Sequence, residues 1–210
     1  MRPVRGFEGR RHDPGRIFFD YDFINRKRST YISATSVWPL WAKMFDPDNP
    51  TDMKRAQRVA AFACEQLEQF AGLSATAKAS IAAARRQDAR RWDYPYGWAP
   101  HQMLAWQGFK NYGGEAAAGR LAYRWLYCIV KNAHDYNGVI PEKYNVVTGL
   151  HDVFVEYGNV GTKFSCLAPE GFGWMNASFE MGMNFLSPAG LADLRALKPP
   201  PGRLVRKWVN

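Results

Sequence analysis

Amphipathic segments of helix length, separated by long loops, constrain the fold of this 210-residue chain more than any other feature. Between residues 51 and 70, apolar side chains recur at the i, i+3 and i+4 spacing that gives a helix one buried face. Residues 101–112, 115–134 and 174–186 predict further helices. Residues 30–44 also look helical, and Pro39 would kink or start that helix. The sequence therefore predicts an all-α chain with almost no strand.

Local signals set the expected ends of these helices. Thr51 is a candidate N-terminal cap, since its hydroxyl can accept a hydrogen bond from a free backbone N–H group. Gly72 is a candidate stop for the same helix, and Pro100 suits the first turn of the next one. The alternating aromatic stretch at residues 17–23 is typical of a short strand.

The charge balance is basic, with a net charge of +9 and a pI of about 9.6. Zinc-finger spacing, an RNP-like aromatic motif and a long Lys/Arg tract are all missing from the sequence, so we expect no nucleic-acid partner. A basic nucleic-acid module built on residues 85–91 stays open as a minor hypothesis. The sequence shows no secretory signal and no apolar run of membrane-spanning length, and we expect a cytoplasmic protein without a membrane partner.

The loops concentrate carboxylates and aromatic rings in four segments, "RRWDYPYGWAP", "PEKYNVV", "VEYGNVG" and "PEGFGWMNAS". Flat aromatic faces bind sugars, and carboxylates hold sugar hydroxyls by charge-assisted hydrogen bonds. Carboxylates among apolar rings are also suited to acid–base catalysis. One interpretation is therefore a glycosidase. In the other, the aromatic rings pack in the core and the carboxylates are solvent-exposed surface charges.

Metal and cofactor chemistry finds little support in the sequence. His101, His134 and His151 have no metal-ligand spacing, and no glycine-rich phosphate loop is present. The three cysteines are widely spaced and imply no disulfide framework. We expect no metal and no cofactor.

At these loops the sequence resembles the trehalases, the family of glycosidases that cleave α,α-trehalose, and the resemblance is closest to the fungal neutral enzymes. The signature of that family reads here as "RWDYPYGWAP" at residues 91–100. It is followed in family order by "HQMLAWQGFKNYG", "RLAYRWLY", "GVIPEKYNV", "EYGNVG" and "EGFGWMNAS". The resemblance runs from about residue 18 to residue 186 with one gap, and several motifs in order make it specific.

The resemblance implies an (α/α)6 barrel, here incomplete, and hydrolysis of trehalose with inversion and without a metal. It implies that Glu142, in the Glu-Lys-Tyr motif, is the general base, and that Glu156 lies near the substrate. It also implies that Trp92, Asp93 and Trp98 line the substrate cleft.

The general acid of the family is an aspartate in an Asp-Ser-Gly-Trp-Asp segment, which does not occur in this sequence. The expected organisation is therefore a disordered segment at residues 1–16, the C-terminal part of a trehalase catalytic domain at residues 17–190, and an extended tail at residues 191–210. The N-terminal half of the barrel is then an expected partner. The alternative is a catalytically inactive relative that binds sugar or a protein.

Overall fold

The computed structural model describes residues 17–83, 92–151 and 172–202, and in this part of the chain helices dominate. The helices, in chain order, are α1 (Trp38–Trp41), α2 (Pro50–Leu67), α3 (Lys78–Ala83), α4 (Ala99–Lys110), α5 (Glu115–Asp135), α6 (Gly173–Met183) and α7 (Pro188–Arg195). A 3-10 turn, Ala34–Val37, leads into α1. The predicted mostly helical class is confirmed.

Three small antiparallel sheets of two strands each join these helices. The strands are β1 (Tyr21–Asp22), β2 (Lys27–Arg28), β3 (Glu68–Gln69), β4 (Gly72–Leu73), β5 (Tyr96–Trp98) and β6 (Lys143–Asn145). The strand expected near residues 17–23 corresponds to β1. The pairs β3–β4 and β5–β6 were not expected from the local pattern.

The ends of α2 differ from the predicted ones. Asn49, and not Thr51, caps the helix, because its Oδ1 atom accepts hydrogen bonds from the backbone N–H groups of Thr51, at 2.9 Å, and Asp52, at 3.3 Å. The helix ends at Leu67, before the predicted stop. Gly72 instead begins the second strand of the β3–β4 hairpin with a φ of +119°, a value that side chains disfavour.

The core lies where α4 packs against α1, α5 and α6. Trp106 and Phe109 of α4 are fully buried, as are Leu121 and Trp125 of α5. The apolar positions predicted for residues 115–134 therefore form the inner face of α5. This helix packs against the β3–β4 hairpin and, through Trp125 and Tyr144, against the β5–β6 sheet.

Gly97, in β5, faces a surface with no room for a side chain. A Cβ atom there would lie 2.3 Å from Cγ1 of Val146 and 2.8 Å from the backbone oxygen of Leu73. We expect Gly97→Ala to lower the free energy of unfolding by roughly 1–3 kcal/mol, because such overpacking displaces neighbouring atoms. Urea unfolding followed by circular dichroism measures this.

Gly173→Ala is the matched control, because a Cβ atom at the start of α6 meets no atom of the described residues within 4 Å. We expect it to leave stability unchanged or to raise it by about 0.4–1 kcal/mol. Equal losses in the two variants would contradict the steric explanation at Gly97.

The C-terminal part differs from the predicted organisation. Helix α7, Pro188–Arg195, crosses the expected boundary at residue 190, and a turn at residues 196–197 follows it, so residues 191–197 are not extended. Ser187 caps α7 by accepting a hydrogen bond from the N–H group of Gly190, at 3.1 Å. The disorder expected at residues 1–16 concerns residues outside the described ones.

Candidate active site

The two segments that carry most of the predicted site residues meet in one sheet. Strand β5 comes from "RWDYPYGWAP" and strand β6 from "PEKYNVV", and they pair antiparallel. Trp98 lies opposite Lys143, and Gly97 lies opposite Tyr144. Because facing residues of an antiparallel pair share one side of the sheet, the side chains of Trp98 and Lys143 are neighbours.

Glu142 lies directly before β6 and is only 1% exposed. Its backbone carbonyl accepts a hydrogen bond from Nε1 of Trp174, at 3.4 Å, so α6 also fixes this position. An ordinary surface glutamate is solvated, and this one is enclosed by the fold. A carboxylate enclosed in this way is suited to acid–base chemistry.

Lys143 is fully buried, which is rare for a lysine. Its Nζ atom lies 4.6 Å from the ring centroid of Trp98 and 5.0 Å from that of Tyr96. Such cation–π contacts contribute about 2 kcal/mol when the cation is removed from water. Lys143 therefore fastens β6 to β5 immediately next to Glu142.

Trp92 and Trp98 stack face to face, with ring centroids 3.6 Å apart and an interplanar angle of 4°. Trp98 is fully buried, whereas Trp92 is 37% exposed. Trp174 meets Trp98 edge to face at 6.2 Å, and Phe172 stacks on Trp174 at 5.4 Å. A sugar that approaches this stack would meet the ring of Trp92 rather than that of Trp98.

Asp93 follows Trp92 and is buried. Its Oδ1 atom accepts a short hydrogen bond from the hydroxyl of Tyr31, and its Oδ2 atom has no hydrogen-bond donor among the described residues. Its backbone carbonyl accepts from the N–H group of Tyr96, at 2.9 Å, and closes the turn before β5. The carboxylate therefore holds the loop, and its second oxygen is buried.

On the other side of β6, Tyr144 packs edge to face on Trp125, at 5.7 Å. Burial raises the pKa of the Tyr144 hydroxyl, so this group stays protonated at neutral pH. Nε1 of Trp125 donates to Oγ of Ser178, at 3.0 Å, and links α5 to α6. This side of the sheet is thus anchored in the core.

His101, in α4, lies beside the ring of Trp38 at 6.3 Å, and burial lowers its pKa to about 4 from 6.5. The unfolded chain binds a proton between these two values and the folded chain does not. Stability is therefore complete above pH 6.5 and falls as the pH decreases toward 4, by roughly 3 kcal/mol at most.

We expect His101→Gln to remove this part of the pH dependence. The measurement is the midpoint of urea unfolding at several pH values from 7 to 4, for the wild type and the variant. Two parallel curves would contradict a neutral, buried His101.

Some of the predicted features cannot be located in the site. Glu156 and the basic residues 85–91 lie outside the described ranges. Among the described residues, no three His, Cys, Asp or Glu side chains cluster as metal ligands. None of the helices described is both long enough and apolar enough to cross a membrane.

The segments that build this sheet also lie within the region that matches known proteins. The trehalase family model matches residues 12–187. The chain belongs to the trehalase family. The predicted resemblance is therefore confirmed, and so is membership of a glycoside hydrolase family.

The relatives of this trehalase-family chain include several fungal enzymes. It is 44% identical over 188 residues to the cytosolic neutral trehalase of Beauveria bassiana and 42% identical over 193 residues to that of Saccharomyces cerevisiae. These matches cover 88% and 90% of the chain, but only 24% and 25% of the relatives. The chain thus spans about a quarter of their length.

A solved neutral trehalase from Saccharomyces cerevisiae has a similar fold, with a TM-score of 0.69 and 37% sequence identity. The similarity covers 89% of this chain and 29% of that structure. The helical architecture described above is accordingly that of a segment of a trehalase.

The structure adds residues that sequence reasoning did not assign. They are Lys143, which makes a cation–π contact with Trp98, and Tyr31, which donates to the carboxylate of Asp93. The third is Trp174, which donates to the backbone carbonyl of Glu142. Lys143 had a partial signal, because it belongs to the Glu-Lys-Tyr motif, but its partner Trp98 follows only from the pairing of β5 with β6. Tyr31 had none, since it lies far from Asp93 in the sequence.

Proposed function

We propose that this chain is the base-bearing C-terminal part of an enzyme that hydrolyses α,α-trehalose to two glucose molecules with inversion, on an incomplete (α/α)6 barrel. The observation that carries the proposal is the pairing of β5 with β6. Glu142, which is 1% exposed, comes directly before the strand that pairs with the Trp98 strand. Family membership supplies the substrate class.

In this reaction Glu142 accepts a proton from a water molecule. The water oxygen then bonds to the anomeric carbon as the glycosidic bond on the opposite face breaks. A carboxylic acid donates its proton to the departing oxygen, and the two carboxyl groups lie roughly 6.5–9.5 Å apart so that the water fits. We propose that this acid belongs to a segment that the relatives carry outside the matched quarter.

The remaining predicted residues bind the sugar. Trp92 offers its exposed face as a platform for a glucose ring, with Trp98 as its support. Asp93 lines the cleft, and Tyr31 holds its Oδ1 atom and thereby the loop that carries Trp92. Glu156 completes the set as a further carboxylate near the substrate. Because the relatives are named cytosolic neutral trehalases, we place the activity in the cytosol.

Glucose release from trehalose tests the proposal. The chain is assayed alone, and as a chimera in which it replaces the aligned quarter of the Saccharomyces cerevisiae enzyme. We expect turnover only in the chimera, because the chain alone lacks the proton donor, and one proton transfer contributes about 10²–10⁴-fold. Robust turnover by the chain alone would contradict the division of acid and base; an inactive but folded chimera would contradict the function.

A second candidate is a non-catalytic relative that binds a partner. It is favoured by large apolar side chains that remain exposed, such as Phe23, Ile24 and Trp41. The chimera separates the two, since a non-catalytic relative would assemble into it without restoring turnover.

A further inference from the structure

Residues 198–202 are attached to the middle of α5 by two consecutive side chains. The hydroxyl of Tyr123 donates to the backbone oxygen of Lys198, at 2.6 Å. Nη2 of Arg124 donates to the backbone oxygen of Pro201, at 2.9 Å, and lies 3.5 Å from that of Gly202. Pro200 between them is buried. The sequence predicts an extended tail here, and residues 198–202 are held along α5.

Arg124 is 1% exposed, and its other nitrogens face the β3–β4 hairpin. Its Nη1 atom donates to the backbone oxygen of Phe70, at 3.0 Å, and its Nε atom lies 3.1 Å from Oε1 of Glu68. Arg120 also holds that carboxylate, with Nε and Nη2 each 3.0 Å from a separate oxygen. One buried guanidinium thus joins the C-terminal segment to the tip of the hairpin.

The hairpin in turn holds the strand that follows Glu142. The N–H group of Ala71 donates to the backbone oxygen of Val146, at 2.9 Å. The amide side chain of Gln102 bonds both backbone groups of Leu73, at 2.9 Å and 2.7 Å. Because Val146 comes directly after β6, a shift of the hairpin tip displaces the base-bearing strand.

We propose that residues 198–202 form a strap which, through Arg124 as a positioning residue, holds the hairpin tip and so keeps Glu142 in place. The planar guanidinium is suited to this, because its fixed fork bonds the strap on one side and the hairpin on the other. Contacts that continue from one buried group to the next are the physical route by which such coupling travels. The catalytic consequence rests on the proposed function; the mechanical part does not.

Amide hydrogen exchange tests the mechanical part. Truncation after Leu197 removes the strap, whereas truncation after Gly202 keeps both acceptors of Arg124 and is the matched control. We expect the first truncation to speed exchange of the Ala71 amide at least ten-fold and to leave α6 amides unchanged. A synthetic peptide of residues 198–210, added in trans, restores the protection.

Two outcomes overturn the proposal. One is unchanged exchange at Ala71 after truncation at Leu197, and the other is a uniform increase across all helices, which indicates general destabilisation. If that truncated chain does not fold, Arg124→Lys in the full chain replaces it, with the same local pattern expected. Lys131→Arg is its control, because the Lys131 side chain lies at the surface of α5 and pairs with Asp135 rather than with the strap. A response at Ala71 that is equal in these two variants counts against Arg124.

The effect of the strap on catalysis is tested by the steady-state kinetics of the chimera. Arg124→Lys should lower kcat roughly ten-fold with KM unchanged, because a misplaced base slows chemistry without weakening sugar binding. A raised KM with unchanged kcat contradicts the positioning role. If the chimera is inactive, the proposed function is contradicted. The hydrogen-exchange result still tests the mechanical part, because it does not depend on activity.

Discussion

Replacing Glu142 by glutamine is expected to lower glucose release in the active chimera by at least about 100-fold, the lower end of what a general base contributes. Glutamine has nearly the same shape as glutamate but cannot take a proton from water. Its effect should therefore fall on kcat, with little change in KM. The measurement is the initial rate of glucose formation over a range of trehalose concentrations.

The control is Glu115→Gln, at the exposed start of α5, where the rate should not change. Inversion provides a second check. One new glucose carries the β configuration and the released one keeps the α configuration, so NMR at early times should detect equal amounts of the two. Two α anomers, or an active Glu142→Gln variant, would contradict the assigned role of Glu142.

Sequence reasoning located the long helices because their signals are local. The apolar repeat of residues 115–134 corresponds to α5, Glu115–Asp135, and Pro100 lies in the first turn of α4 as expected. The cap of α2 was misassigned because Asn49 and Thr51 are both good cap residues. Only the backbone conformation at Asn49, which is extended, decides between them.

The sheet that builds the candidate site was beyond local reasoning. Strands β5 and β6 have three residues each and lie far apart in the sequence, so neither carries a readable alternation. Their pairing requires a residue without a side chain at position 97, because Val146 and Leu73 pack against it. This close approach exists only in the folded chain. Family resemblance pointed to Glu142, yet it did not show that Lys143 lies buried between two rings.

The different roles of Trp92 and Trp98 could not be predicted from the sequence either. Both Trp92 and Trp98 belong to one signature segment, and composition gives them equal standing as sugar-binding rings. Only the stacked arrangement shows that Trp98 is covered and that Trp92 does the covering. This difference in burial leads to a difference in energy that can be measured.

Trp98→Ala is expected to lower the free energy of unfolding by about 4 kcal/mol, the usual cost of deleting a fully buried tryptophan side chain. The loss has two parts. A cavity opens between Trp92 and Trp174, and the Nζ atom of Lys143 loses the ring that lies 4.6 Å away. Urea unfolding followed by circular dichroism measures the change.

Trp92→Ala is the matched control, because it removes the same side chain from the exposed half of the stack. We expect a loss of only about 1 kcal/mol, the size of an aromatic pair. In the chimera its main effect should instead be a higher KM for trehalose, since a platform contributes to binding. If Trp92→Ala destabilises the chain as much as Trp98→Ala, the two rings share one structural role and Trp92 is no platform. Trp98→Phe should cost less than Trp98→Ala, because the smaller ring fills part of the cavity and still offers a face to Lys143.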